Sequence, residues 1–384
     1  MLSLKLRIFK SKLTPSNAVI SEYLSPLFKN CPNHINIKCS DDPLQKGEPL
    51  LGFCLTGGTE APFLEAALAN PSNPAIILVH DRANSYASGC ELSARLHYEH
   101  KIGHRAPCIF CSINDPSSVK SVLTAAATAN SFVTKNPNLG IIGDPSPWLI
   151  NSGYFAKDLP KLFNIKTTKI PVDELVSLSK KLNGAENAFK QLIDKYHLDA
   201  FTVRCFDLLP YKFTSCLELS KFNDLGIPAA CEGDIAASVS MIIMNSIAQS
   251  PVFMANATGL SIDGKEATFA HCTIPRKLCT KSEVTTHYES GIGHAIHGQV
   301  IEGTWTLARF GINGKLMTDV VDVRNPSAPS PHHCRTQIIV KPSKKLAKKL
   351  RRGDVLGNHV MFVPGNIRDE LKIFANIFRN WEPK

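Results

Sequence analysis

The 384-residue chain is long enough for two or three domains, and 43% hydrophobic with 20% charged residues is an ordinary globular composition. No apolar run reaches the ~18 residues of a membrane helix, and the start, MLSLKLRIFKSKL, lacks the apolar core and cleavage site of a signal peptide. The net charge of +10 points toward nucleic acid, but residues 341–352, KPSKKLAKKLRR, hold seven positive and no negative charges, so the rest of the chain carries only +3.

In chain order, the first 45 residues read as strand, helix and strand. From residue 50, short apolar runs alternate with longer helical stretches: LLGFCLT (50–56), AIILVH (75–80) and CIFCSI (108–113) are strands. Between and after them lie a turn and helix within 57–70, and helices at 84–100, with Asn84 as its cap, and 116–132, with proline at its first position. This is the pattern of strand–helix–strand units on a parallel sheet. Cys108 and Cys111 form a CxxC, but inside a strand residues three apart point to opposite faces, so they read as buried thiols. The twelve cysteines are scattered through apolar segments, which favours reduced thiols and a cytoplasmic location.

A second parallel set starts at LGIIGD (139–144), after the polar break TKNPN, and runs through IKTTKIP, AFTVRCFDLL (200–209) and IPAACEGD (227–234) to another helix. After about residue 275 the chain becomes β-rich with glycine-containing turns, and it closes with a helix within 366–378. The expected architecture is therefore α/β: a Rossmann-like domain at 1–138, a second at 139–275 and a β-rich domain at 276–384. Residues 341–352 read as a short amphipathic helix, with Leu346 and Leu350 beneath a solvated basic face. Confinement of the charge to that helix argues against nucleic acid as the partner.

Ligands of open parallel sheets sit beyond the carboxyl ends of the strands. Gly57 and Gly58 lie there and can take an anion or simply make a tight turn. Arg204 and Asp207 also lie there, as substrate contacts or as an ion pair. Glu232 stands where an apolar stretch turns into a helix that Asp234 already caps, so its carboxylate is surplus to folding. His271 lies in apolar TFAHC and His359 follows a glycine turn in GNHVMF. Glu232, His271 and His359 together make an O/N ligand set suited to Mn²⁺ or a similar divalent ion. That reading requires the three side chains to lie within about 10 Å of one another.

ACEGD, FMAN, AHC and GNHVMF, in that order, resemble segments of the L-fucose/L-arabinose isomerase superfamily. The resemblance is strongest over residues 200–384. It implies a fucose isomerase-like fold and aldose–ketose isomerisation of a small carbohydrate through an ene-diol. It also implies a Mn²⁺ site and a homo-oligomer with sites near subunit boundaries. Carried over, Glu232 is metal ligand and base, and His271 and His359 are metal ligands. Where the family carries its second carboxylate, this chain has Ala255–Asn256. An amide oxygen can contact a metal or a substrate but exchanges no proton. Asp263 and Glu266 in the next loop, or His332 and His333, are candidates to replace it. Arg204, Asp207, Asn358 and His333 are expected to touch substrate. Two other readings remain open: a non-catalytic sugar-binding or regulatory protein, and a nucleic-acid binder using the 341–352 helix.

Overall fold

The computed structural model of the protein describes residues 1–11, 17–154 and 157–378. Two compact units emerge: residues 1–136 together with residues from 369 onward, and residues 137–368. In the first, five parallel strands form a sheet: β1 (Leu2–Phe9), β2 (Ile35–Cys39), β3 (Leu50–Cys54), β4 (Ala75–Val79) and β5 (Cys108–Ser112), ordered β2-β1-β3-β4-β5. β3 and β4 are buried along their whole length, which is why LLGFC and AIILV read as unbroken apolar runs rather than alternating ones. Helix Pro116–Lys135 starts as its sequence implies: Pro116 takes the first position and Asp115 accepts from the amides of Ser117 and Ser118. Asn84 differs from expectation. It precedes helix Ser85–Lys101 in a left-handed conformation and its side chain caps nothing. Cys108 and Cys111 are buried, and burial pushes their thiols up to about 11 and about 12, so neither is a reactive thiolate at neutral pH.

The helix Arg368–Phe378 belongs, from Asp369 onward, to this first unit. Phe374 and Phe378 pack edge-on against Phe132, and the Ser121 hydroxyl donates to Glu370 at 2.9 Å.

The second unit opens with four more parallel strands, β6 (Asn138–Ile142), β7 (Lys166–Ile170), β8 (Ala200–Val203) and β9 (Ala229–Ala230), ordered β7-β6-β8-β9. Helix Ile235–Ala248 follows. It is apolar almost all round, because it packs on β8 and β9 and also on the strands of the β-rich region.

That region comprises β10 (Phe253–Leu260), β11 (Ala267–His271), β12 (Cys279–Thr285), β13 (Ala295–Val300), β14 (Gly303–Phe310), β15 (Leu316–Arg324), β16 (Thr336–Lys341) and β17 (His359–Pro364). Six of them close an antiparallel barrel in the order β10-β11-β16-β15-β14-β17, and β12 and β13 form a separate hairpin. The barrel draws its first two strands from upstream of residue 276. Its core includes Phe253, Phe269, Trp305, Leu307, Ile338 and Phe362. Helix Lys344–Arg352 lies with Leu346 and Ala347 buried while most of its basic side chains are exposed, the amphipathic arrangement expected of KKLAKKLRR. Among the described residues no helix is long and apolar enough to cross a membrane.

Candidate metal centre

Three distant stretches of chain deliver the ligand candidates. Glu232 follows β9 at the carboxyl edge of the second parallel sheet, His271 ends β11 and His359 begins β17. One ligand atom from each lies within 4.8 Å of the others, well inside the limit set above.

The backbone at Glu232 is unusual. Its φ is +63°, a left-handed conformation that costs a side-chain-bearing residue ~1–2 kcal/mol. Gly233 follows at φ +70°, and a Cβ there would come within 2.9 Å of the Asp144 carbonyl oxygen and 3.0 Å of Pro145 Cα. The Ser146 amide donates to the Glu232 carbonyl at 3.0 Å. The turn is thus packed tightly against the 144–148 loop.

Glu232 is mostly buried, with 12% of its side chain exposed. Oε2 accepts the indole N–H of Trp148 at 2.6 Å, and Oε1 lies 3.4 Å from His359 Nε2. Burial pushes the carboxyl pKa up, but the imidazole of His359, the Trp148 hydrogen bond and the nearby His271 together bring it below the ordinary value.

His359 is fully buried, and its Nδ1 is 2.9 Å from Asp234 Oδ2. A carboxylate on Nδ1 fixes the proton there and directs the Nε2 lone pair outward, the arrangement that orients a metal-ligating histidine. Nε2 is close enough to Glu232 for charge attraction but has no hydrogen-bond partner among the described residues, leaving a buried polar atom unsatisfied. Burial disfavours the charged imidazole of His359, yet the hydrogen bond with Asp234 and the negative charges of Asp234 and Glu232 outweigh it and raise the pKa. His271 behaves oppositely. Burial, reinforced by the charge on His359, pushes it down to about 3, and its Nδ1 pairs with the Thr273 hydroxyl at 2.9 Å. The two imidazole rings meet edge to face at 5.6 Å.

Beneath this cluster is a support that the sequence reading missed. Asp234 does cap its helix, accepting from the Ala237 amide at 2.9 Å, but it also binds Arg309 Nη2 at 3.2 Å. Arg309 is wholly buried in β14 and donates further to the carbonyls of Leu356 and His359. Gly357 has to be glycine here: at φ +148° a Cβ would meet the guanidinium at 2.7 Å. Burial alone raises the Asp234 carboxyl, and Arg309 and His359 overcome it and hold it well below the usual range. A charged arginine inside the apolar run WTLARF was the available signal, since a buried guanidinium needs a partner.

The other candidate residues distribute as follows. Asn256 is directly opposite His359 in the β10–β17 register, so the two share a sheet face, and its Oδ1 accepts from Asn358 Nδ2 at 3.2 Å. Arg204 and Asp207 form an ion pair at 3.0 Å and line a separate cleft of about 470 Å³ with Asp144, Lys169 and Asp173, at the carboxyl ends of β6, β7 and β8. His332 and His333 lie in the connection before β16, outside the three-residue ligand cluster. Asp263 and Glu266 are taken up locally, Asp263 by Ser261 and Lys265 and Glu266 by Arg324.

An aromatic wall adjoins the ligands. Trp148, bonded to Glu232, meets Phe206 edge-on at 5.0 Å, and Phe206 meets His287 edge-on at 5.9 Å. None of the three stood out in sequence, since nothing local to DPSPWLI, RCFDLL or TTHYES says that they converge.

No family model matches the chain. A curated protein, sulfoquinovose isomerase of Clostridium sp. (strain MSTE9), is 24% identical over 203 residues. The match covers 50% of this chain and 45% of that protein, so the chain spans about half the length of the relative it matches. The chain is therefore similar, at a distance, to a sugar isomerase.

Proposed function

We propose that this protein is a divalent-metal-dependent aldose–ketose isomerase working through an ene-diol, with Mn²⁺ as its cation. The observation that carries the reading is the convergence of Glu232, His271 and His359, with a buried, unsatisfied Nε2 on His359. One carboxylate oxygen and two imidazole nitrogens suit Mn²⁺ or a similar ion. When bound, such an ion supplies Lewis-acid polarisation of a carbonyl.

The chain's own residues do the rest. Asp234 and Arg309 fix the His359 ring, and Trp148 fixes the Glu232 carboxylate. Glu232 moves the carbon-bound proton between C2 and C1. Trp148 and Phe206, set edge to face, offer apolar ring surface against which a sugar's C–H face packs. The similarity to sulfoquinovose isomerase supports a carbohydrate substrate, sulfonated hexoses among the candidates.

Asn256 motivates one other reading, a sugar-binding protein without turnover, because its amide exchanges no proton. The test is metal analysis and Mn²⁺ titration of the purified protein, with turnover assayed on sulfoquinovose and on unsulfonated aldoses and ketoses. The isomerase reading expects one Mn²⁺ per chain, affinity reduced at least 10-fold in Glu232→Gln, and conversion by the wild type. Mn²⁺ binding without conversion of any sugar favours the binding protein. No Mn²⁺ binding removes the catalytic reading.

A further inference from the structure

Helix Lys344–Arg352, with Lys341 just before it, gathers seven cations and no acid. Folding gains little from this. Lys344 and Lys348, Lys345 and Lys349, and Lys348 and Arg352 each stand four apart, where like charges on a helix repel. Arg351 and Arg352 complement the dipole in the last turn, but Lys344 and Lys345 oppose it in the first. Among the described residues none of the seven forms a salt bridge. Their neighbours do: Lys265 pairs with Asp263 at 3.2 Å and Arg324 with Glu266 at 2.6 Å.

We propose that this helix and the hairpin beside it form a docking surface for an anionic phospholipid membrane.

The fold holds the charges outward. Leu346 belongs to the barrel core and Leu350 packs against it, so the opposite face of the helix meets solvent. Ser343 starts the helix: its Oγ accepts from the Leu346 amide at 3.2 Å, and its own amide donates to Asp319 Oδ2 at 3.0 Å. Lys344, Lys345, Lys348, Arg351 and Arg352 are all exposed. Nearby acids do not cancel them. Asp319 is buried, Asp263 and Glu266 have their own cations, and Asp354 is a single exposed carboxylate past the helix end.

Charge alone does not choose between a membrane and a nucleic acid. The hairpin joining β10 to β11 does. Its turn is closed by the Gly264 amide, which donates to the Ser261 carbonyl at 2.9 Å. Asp263 Oδ1 steadies it, accepting from the Ser261 hydroxyl at 2.7 Å and the Lys265 amide at 3.1 Å. Ile262 takes the second position and is the most exposed large apolar side chain among the described residues. Turns favour proline or small polar residues, so turn chemistry has no use for isoleucine there. Arg351 Nη2 donates to the Ile262 carbonyl at 2.9 Å, which ties the apolar tip to the basic helix. A bilayer suits both features, since its headgroups offer negative charge and its acyl boundary accepts an apolar side chain. A nucleic acid offers only the charge, and residues 341–352 contain no aromatic side chain on which bases could stack.

This surface is remote from the metal centre along the chain's own strands. β11 begins beyond the hairpin at Ala267 and ends at His271, so about 14 Å of strand, at ~3.4 Å per residue, separates the two. Membrane binding therefore does not depend on the isomerase activity proposed above.

The test is co-sedimentation of the purified protein with vesicles of phosphatidylcholine and phosphatidylserine, against vesicles of phosphatidylcholine alone, at low and high salt. Wild type is expected to bind only the anionic vesicles and to be released by salt, because exposed charges are screened. Each cation removed should weaken binding roughly 5-fold, so the combined variant Lys344→Gln, Lys345→Gln, Lys348→Gln and Arg352→Gln should lose at least ~10²-fold. Ile262→Ser, with the charge unchanged, should lose about 5-fold. All five positions are exposed, and circular dichroism of each variant checks that the fold is kept. A wild type that does not sediment with anionic vesicles overturns the assignment, as does undiminished binding by the fourfold variant. Equal binding by wild type and Ile262→Ser overturns it by showing that the tip does not enter the bilayer. Tighter binding to duplex DNA or RNA than to the vesicles, unchanged in Ile262→Ser, identifies a nucleic-acid surface and overturns it likewise.

Discussion

Asp234 carries four demands at once: helix cap, counter-ion to Arg309, orienter of His359 and buried anion. Asp234→Asn leaves a wholly buried guanidinium without its charge partner and is expected to cost about 3–5 kcal/mol in urea unfolding. His271 makes a pH-dependent contribution of known sign. In the folded, metal-free protein it stays neutral down to about pH 3, whereas an unfolded histidine protonates near 6.5. Between those values the unfolded chain binds the extra proton, so stability falls as pH drops from about 6.5 to about 3. His271→Gln should flatten that slope in chelator-treated samples. His359, with its pKa raised, contributes in the opposite sense: its stabilisation is full below about pH 6.5 and is lost as pH rises through its folded value. Glu232, His271 and His359 were legible because each is a polar group set in apolar sequence. Asp234 was legible only as a cap, because its partners lie 75 and 125 positions away in sequence.

The alternation of strand and helix was readable because period and turn chemistry are local. Asp115, directly before the proline that opens its helix, accepts two amide hydrogen bonds, and Asp115→Ala should cost about 1 kcal/mol in thermal unfolding. The turn at Gly233 is more demanding than any cap. Gly233→Ala would push a Cβ into the backbone of Asp144 and Pro145, so Mn²⁺ affinity should fall at least 10-fold even where the protein remains folded. Calorimetry alongside circular dichroism separates the two effects. Barrel closure was not readable: β10 pairs with β17 across about a hundred residues, and no local pattern encodes that register. After about residue 275 the sequence reads only as β-rich, which does not mark the loop that begins after Thr285 and holds His287.

At the scale of the whole molecule, the first unit is discontinuous in sequence. Phe374 is fully buried against Phe132, so Phe374→Ala should destabilise that unit by about 3–5 kcal/mol. Hydrogen exchange should show faster amide opening in β1–β5 while residues 137–368 keep their protection. Self-association, implied by the resemblance to the isomerase superfamily, is a separate proposal for light scattering to decide. The discontinuity also governs biogenesis. A domain begun first on the ribosome ordinarily folds first. Here the aromatic lid for Phe132 is translated only after the entire second unit, so the nascent amino-terminal sheet must wait with a greasy flank open to solvent. A chaperone that shields that flank during elongation would be most needed during this interval, and pausing of translation within residues 137–368 would prolong the risk of aggregation.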